Sequence, residues 1–287
     1  MAGLSQQSSE ALSSARWSDL AEPQPESTLT PVEQRPRTPR QVSFIRDGVL
    51  RLPRFFADRE MERYRRVREM LPKDHSQRDN FYGGWAHATP YMEHPALRRL
   101  ALNHRLMRTL EELIGEPMGL HLCLTGWVST ERKFHQDTYL NPPELWSFYL
   151  AVWIALDDIS PDAGPFQFVP GSHRWEVLRR ESLFRYLTPE ERESPYWPTW
   201  TQDDVSRICE DEIANRDAEI TTYLPKRGDV LVWHSNLIHR GSAPSDPTAL
   251  RRSLICHYSA YQRRRELNPW VRDWRAGGGR YYHAKHK

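Results

Sequence analysis

Hydrophobic positions change their period about a third of the way along the chain. From Ala57 they recur at Met61, Tyr64, Val67 and Met70-Leu71, one face of a helix, with Asp58 as N-cap and Pro72 as stop. A second helical pair is predicted over residues 95–114, broken near Asn103-His104 and closed by Gly115. Upstream, Val49-Leu50-Arg51-Leu52 alternates as a short strand between an Asp47-Gly48 turn and Pro53. Beyond Met118 the pattern turns strand-like, with strands expected at residues 120–128, 147–156, 166–169, 219–224, 229–234 and 253–261. Turn residues separate them at Asn141-Pro142-Pro143, Pro161-Asp162-Ala163-Gly164 and Lys226-Arg227-Gly228-Asp229. Helices first and strands afterwards predict a mainly β fold with flanking helices, a double-sheet jelly roll carrying helices on one face.

Three segments stand outside that pattern. Residues 1–40 are dominated by Ser, Gln, Glu, Pro and Thr, a composition that predicts a disordered tail, because little apolar surface offsets the entropy of ordering it. Residues 41–287 then form one domain, with order beginning at Val42-Ser43-Phe44-Ile45. The stretch Phe81-Tyr82-Gly83-Gly84-Trp85 reads first as a packed turn and second as a pocket wall. Residues 175–215, charged and aromatic, interrupt the strands at a length typical of a lid or a substrate-recognition insertion.

Charge and cysteine content narrow the class. Forty basic against thirty-eight acidic residues leave a formal charge of +2, which argues against a general polyanion binder and makes nucleic acid an unlikely partner. The Arg263-Arg264-Arg265 run, with Arg272, Arg275 and Arg280, reads as solvated surface. Three scattered cysteines supply neither a disulfide framework nor a zinc motif and suit a reducing, cytoplasmic setting. The apolar run from Phe148 to Leu156 is too short to span a bilayer, and no leader-like segment is expected at the start. Trp, Tyr and Phe make up 11% of the residues, rich for so hydrophilic a chain, and such aromatics line ligand pockets as well as cores.

The chemistry centres on Phe134-His135-Gln136-Asp137. His-x-Asp puts two side chains on one face of an extended segment. A third ligand from a distant strand would close a triangle, and Trp233-His234-Ser235-Asn236-Leu237-Ile238-His239 offers His234 or His239. Two imidazoles and one carboxylate, with the opposite face open, are the facial triad of non-haem Fe(II) oxygenases. Arg251 or Arg252, on opposite faces of the next strand, would anchor the far carboxylate of a dicarboxylate co-substrate through a planar fork. His173 reads as fixing the loop after its strand, His257 first as a satisfied core histidine and second, by its parity with Arg251, as facing the site, and His283 and His286 as solvated.

The ordered set His135-Gln136-Asp137, Trp153-x-Ala155-Leu156-Asp157-Asp158, Gly164-Pro165, Val169-Pro170-Gly171-Ser172-His173, Gly228-Asp229, His239-x-Gly241-Ser242 and Arg251-Arg252-Ser253 resembles the phytanoyl-CoA dioxygenase family. The likeness runs from about Asp47 to Tyr258 and implies a double-stranded β-helix, a cupin-like jelly roll. It implies Fe(II) held by His135, Asp137 and His239, 2-oxoglutarate salt-bridged to Arg251 and touched by Trp153, and O2 as oxidant. Halogenating relatives replace the carboxylate with a small residue, so Asp137 favours hydroxylation or a related oxidation.

The expected activity is therefore oxidation of an unactivated C–H bond in a small-molecule metabolite, in specialised metabolism, with release of succinate and CO2. Trp127, Tyr139, Trp146, Tyr149 and Trp197 are the expected substrate contacts. Two other readings are a non-catalytic jelly-roll binding protein and an oxygenase that docks a macromolecule on the basic C-terminal stretch.

Overall fold

Two facing β-sheets, one wide and one narrow, hold the molecule's central cavity, and helices cover the outer face of the wide one. They are seen in a computed structural model that describes residues 11–70, 89–129 and 131–284; the Phe81–Trp85 stretch, Pro72 and His286 lie outside these. The strands are β1 (Ala21–Glu22), β2 (Val49–Leu52), β3 (Met118–Gly126), β4 (Tyr149–Ala155), β5 (Phe166–Phe168) and β6 (Val177–Leu178). They continue with β7 (Thr221–Tyr223), β8 (Val230–His234), β9 (His239–Gly241), β10 (Ser253–Ala260), β11 (Trp270–Arg272) and β12 (Arg280–Tyr282). The wide sheet runs β11-β12-β3-β10-β4-β8-β2, and the narrow one β7-β5-β9. This is the expected jelly roll with helices, as two sheets and not a closed barrel.

Strand parity decides which side chains reach the cavity. In β4, Leu150, Val152 and Ile154 face outward and share a core with Val230 and Val232 of β8 and with Leu254, Cys256 and Tyr258 of β10. That core is closed by Met61 and Tyr64 of the helix Asp58–Met70, by Leu97 of Pro95–Ala101, and by Leu106, Leu110 and Leu113 of His104–Ile114. The other parity, Tyr149, Ala151 and Trp153 with Leu231 and Trp233, faces Phe166 and Phe168 of the narrow sheet. Because β4 is buried on both sides, its sequence is continuously apolar and does not alternate. Between His257 and Tyr258 the β10–β3 register slips by one residue, leaving His121 as a bulge. The bulge turns both His121 and Leu122 into the cavity.

The expected helices form, broken between Ala101 and His104, with Gly115 closing the last in a left-handed cap. The N-terminal segment departs from expectation. Instead of a tail, its described part forms the helices Trp17–Leu20 and Pro31–Gln34 and the pairing of β1 with β6. Leu12, Trp17, Leu20 and Val32 are buried. Composition averaged over forty residues hides these few apolar anchors. It also hides the capping boxes Thr30-Pro31-Val32-Glu33 and Thr38-Pro39-Arg40-Gln41, the second of which opens the helix Pro39–Asp47. Residues 175–215 also differ from a lid. Their helices, chiefly Gln202–Asn215, pack with Leu12, Trp17 and Leu20 against Phe134, Tyr139 and Ile238, on the back of the segment that carries His135. No helix among the described residues is long and apolar enough to cross a membrane.

Candidate active site

Backbone pairing brings the candidate ligands together. His135 and His239 face each other across an antiparallel bridge, exchanging N–H···O bonds of 3.1 and 3.0 Å. On its other side His239 pairs with Phe168 of β5, so the sheet edge fixes its direction. Asp137 donates its backbone N–H to the Ser235 carbonyl at 2.8 Å. The ligand atoms of His135, Asp137 and His239 all lie within 4.8 Å of one another, and the three residues are buried.

Hydrogen bonds behind the three side chains set which atoms point inward. His135 Nδ1 lies 2.7 Å from the Lys133 carbonyl and His239 Nδ1 3.0 Å from that of Leu237. Since a carbonyl only accepts, both Nδ1 atoms carry the proton, and both Nε2 lone pairs are left for a metal. Those Nε2 atoms stand 3.5 and 3.9 Å from Asp137 Oδ1. The other carboxylate oxygen, Oδ2, accepts from Trp233 Nε1 at 3.0 Å. Burial opposes charge on Asp137, but His239 and His135 outweigh it and hold the carboxyl well below the usual range. Burial, with His135 alongside, pushes the His239 imidazole down to about 3. A neutral imidazole at His239 and an ionised carboxylate at Asp137 are protonation states that suit a divalent metal.

The two ambiguities of the sequence resolve by direction. His234 turns away from the cavity to Glu33, with Nε2 3.4 Å from Oε1. Arg252 pairs with Asp157 and, at 3.5 Å, with Glu69 on the helix side of the sheet. Arg251 points inward, and one Nη donates to the Gly164 carbonyl at 2.8 Å. That loop requires glycine, because Gly164 has φ +71° and a Cβ there would lie 2.3 Å from the Ser242 carbonyl. Arg251 Nε is buried with no hydrogen-bond partner, and no carboxylate pairs with this guanidinium among the described residues. Burial pushes its pKa down to about 10. An enclosed cation with an orphaned donor fits the far carboxylate of 2-oxoglutarate. Trp153 lies beside it, its ring centroid 5.3 Å from the guanidinium carbon and its Nε1 also unpartnered.

His135, Asp137, His239, Arg251 and Trp153 line one cavity of about 310 Å3. Of the expected substrate contacts, Tyr149 lines it and four do not. Trp127 lies under Arg252 and Trp146 under Arg179, while Tyr139 and Trp197 pack on each other in the outer cluster. Aromatic content alone could not separate wall from core; strand parity does so only where register is known. Arg264, expected as solvated surface, and His257, expected first as core and second as facing the site, both line the cavity. His257 shares parity with Arg251, meets the Tyr149 hydroxyl through Nδ1, and has an unpartnered Nε2. Burial pushes it down to about 4. Arg264 is only 8% exposed although it sits in a run of three arginines. His173 does fix a loop, with Nε2 2.9 Å from the Ile45 carbonyl.

Comparison with known proteins agrees with this geometry. The family model for phytanoyl-CoA dioxygenase (PhyH) matches residues 44–252, well over half of the chain. A probable phytanoyl-CoA dioxygenase from Caenorhabditis elegans is 22% identical over 179 residues, 59% of this chain and 52% of that protein. The chain thus aligns with about half the length of that relative. EctD from S. alaskensis, solved with 2-oxoglutarate and 5-hydroxyectoine, superposes with a TM-score of 0.55 at 19% identity, covering 87% of this chain and 83% of EctD. The epimerase SnoN from nogalamycin biosynthesis, in complex with Fe3+, alpha ketoglutarate and nogalamycin RO, gives 0.54 at 20%, covering 77% and 82%. At such identities the two structures establish a shared fold. From the family match over residues 44–252, this chain belongs to the phytanoyl-CoA dioxygenase family of Fe(II)- and 2-oxoglutarate-dependent oxygenases.

Proposed function

We propose that the protein oxidises a C–H bond of a small-molecule metabolite, by hydroxylation or by another outcome of hydrogen removal. His135, Asp137 and His239 hold Fe(II), and Arg251 and Trp153 orient 2-oxoglutarate. The observation that carries this reading is the convergence of three ligand atoms within 4.8 Å, each side chain aimed by a hydrogen bond from behind. When bound, iron, 2-oxoglutarate and O2 supply the oxidising chemistry, with 2-oxoglutarate leaving as succinate and CO2.

The chain's own residues have three tasks in this account. The Lys133 and Leu237 carbonyls keep each Nδ1 protonated, so each Nε2 stays a donor to metal. The Trp233 N–H holds Asp137 Oδ2, leaving Oδ1 toward the imidazoles. Arg251 fixes one end of the co-substrate, while Trp153, Phe166 and Trp233 form an apolar wall that limits water at the reacting end. Three free cysteines suit the reducing cytoplasm to which we assign the protein. Succinate release, measured against a panel of small metabolites with Fe(II) and 2-oxoglutarate present, tests the reading. Stimulation by members of the panel is expected; stimulation by peptides or nucleic acid alone would contradict it.

A further inference from the structure

The cavity has a second cationic end, and its position says what kind of molecule enters. Arg251, just before β10, and Ile255 and His257 within it line the cavity, with Ser259 next in parity. Trp233, which holds Asp137, pairs with Ala151, and Ala151 also pairs with His257. The candidate metal centre is therefore level with His257. Arg251 lies in one direction, beyond Ile255, with its guanidinium beside Trp153. Tyr149, paired with Ser259, lies in the other direction. There Arg264 donates one Nη1 to Asn141 Oδ1 at 3.1 Å and to Ser259 Oγ at 3.2 Å, and its Nε pairs with Glu266. Nη2 makes no hydrogen bond among the described residues. His121, delivered by the β3 bulge, sits on the same Ser259 hydroxyl at 3.4 Å.

Charge counting points the same way. Among the described residues lining the cavity, Asp137 is the sole carboxylate, against Arg132, Arg251 and Arg264. Fe(II), ionised Asp137 and doubly charged 2-oxoglutarate sum to minus one, which Arg251 cancels. Glu266 is about half exposed and binds Arg264 from the solvent side, while Arg132 is held by the neutral amide of Gln202. Arg264 is therefore the cation at the end of the cavity opposite Arg251, with Nη2 left to receive an anion. Toward that end Leu122, paired with His257, and Leu140, next to Asn141, line the wall, while Leu124 and Ile255 lie on the Arg251 side. A volume of about 310 Å3, shared with 2-oxoglutarate, is at the small end for ligand sites.

We propose that the substrate is a compact, largely aliphatic carboxylate whose acid group is received by Arg264, with Asn141 and His121 beside it, so that its apolar body is laid across the metal centre. This rests on the functional reading above and specifies its substrate class. A guanidinium with a spare Nη2 favours a carboxylate through a charge-assisted hydrogen bond and discriminates against the neutral amide of the same shape.

The test is binding, under argon, to the full chain loaded with Fe(II) and saturating 2-oxoglutarate, which occupies Arg251. The probes are short aliphatic and alicyclic monocarboxylic acids, each paired with its primary amide. Acids are expected to raise the melting temperature and bind at least about tenfold more tightly than their amides, the range of a charge-assisted hydrogen bond. Arg264→Met should remove that preference, and Arg264→Lys should restore part of it. If acids and amides bind alike, or no acid binds, the proposal is overturned; the wild-type comparison decides this even should the variants fail to fold. Failure of the functional reading looks different, because the protein would then take up no Fe(II) and 2-oxoglutarate in the loading step.

Discussion

At the residue level, the account depends on hydrogen bonds that aim side chains. Trp233 makes the sharpest case. Trp233→Phe keeps a ring packed against Phe166 and His239, whose centroids lie 5.0 and 5.3 Å away, and removes the donor to Asp137 Oδ2. Fe(II) affinity is expected to fall about 10-fold or more, with a much smaller change in melting temperature, as read by anaerobic metal titration and by thermal unfolding of the same sample. Arg251→Lys should raise the KM for 2-oxoglutarate nearly as far as Arg251→Met does, because a single ammonium cannot reproduce the fork; kinetics at varied 2-oxoglutarate check this. The candidate ligands that converge were legible from His135-x-Asp137 and the downstream His239. Trp233 was not, since nothing in a sequence says that an indole N–H in a buried strand will meet a carboxylate 96 residues earlier. Arg264 was hidden for the opposite reason: three consecutive arginines read as surface, and only the fold after β10 turns the middle one inward.

Among the elements, the N-terminal segment matters more than its composition suggests. Gln24 reaches Asn236 at 2.9 Å, Asn236 meets Thr138 next to Asp137, and Glu33 meets His234. Deleting residues 1–37 removes Leu12, Trp17, Leu20 and Val32 from the core, each contributing about 1.5–3 kcal/mol. The melting temperature should then drop by more than about 10 °C and iron affinity should weaken; unchanged unfolding would contradict the docking. The same contacts make the segment acid-sensitive. Burial raises Glu33, but its hydrogen bond to His234 wins and lowers it from 4.5 to about 2, so its contribution is complete above 4.5 and lost as pH falls toward 2. Burial lowers His173 from 6.5 to about 3, so the neutral form it requires begins to lose stability below 6.5. Both slopes have one sign, and denaturant midpoints measured from pH 7 to pH 4 should fall steadily. The strands of the jelly roll were readable because turn residues bracket them; β9, three residues beginning at a ligand, was too short to show.

For the whole molecule, one sheet separates support from chemistry. Outward side chains of β4, β8 and β10 meet the helices, and inward ones meet the narrow sheet and the cavity. That division was implied by helices preceding strands, whereas the bulge at His121 and the packing of residues 175–215 behind the ligand segment depend on long-range register that no local pattern encodes. Anaerobic titration of the full chain with Fe(II), with and without 2-oxoglutarate, examines the site where the two sheets converge. The account predicts a single ferrous ion per chain, a visible absorption band that forms only with 2-oxoglutarate, and loss of both in His135→Ala and His239→Ala. Iron uptake that ignores 2-oxoglutarate, or that survives both substitutions, would contradict it.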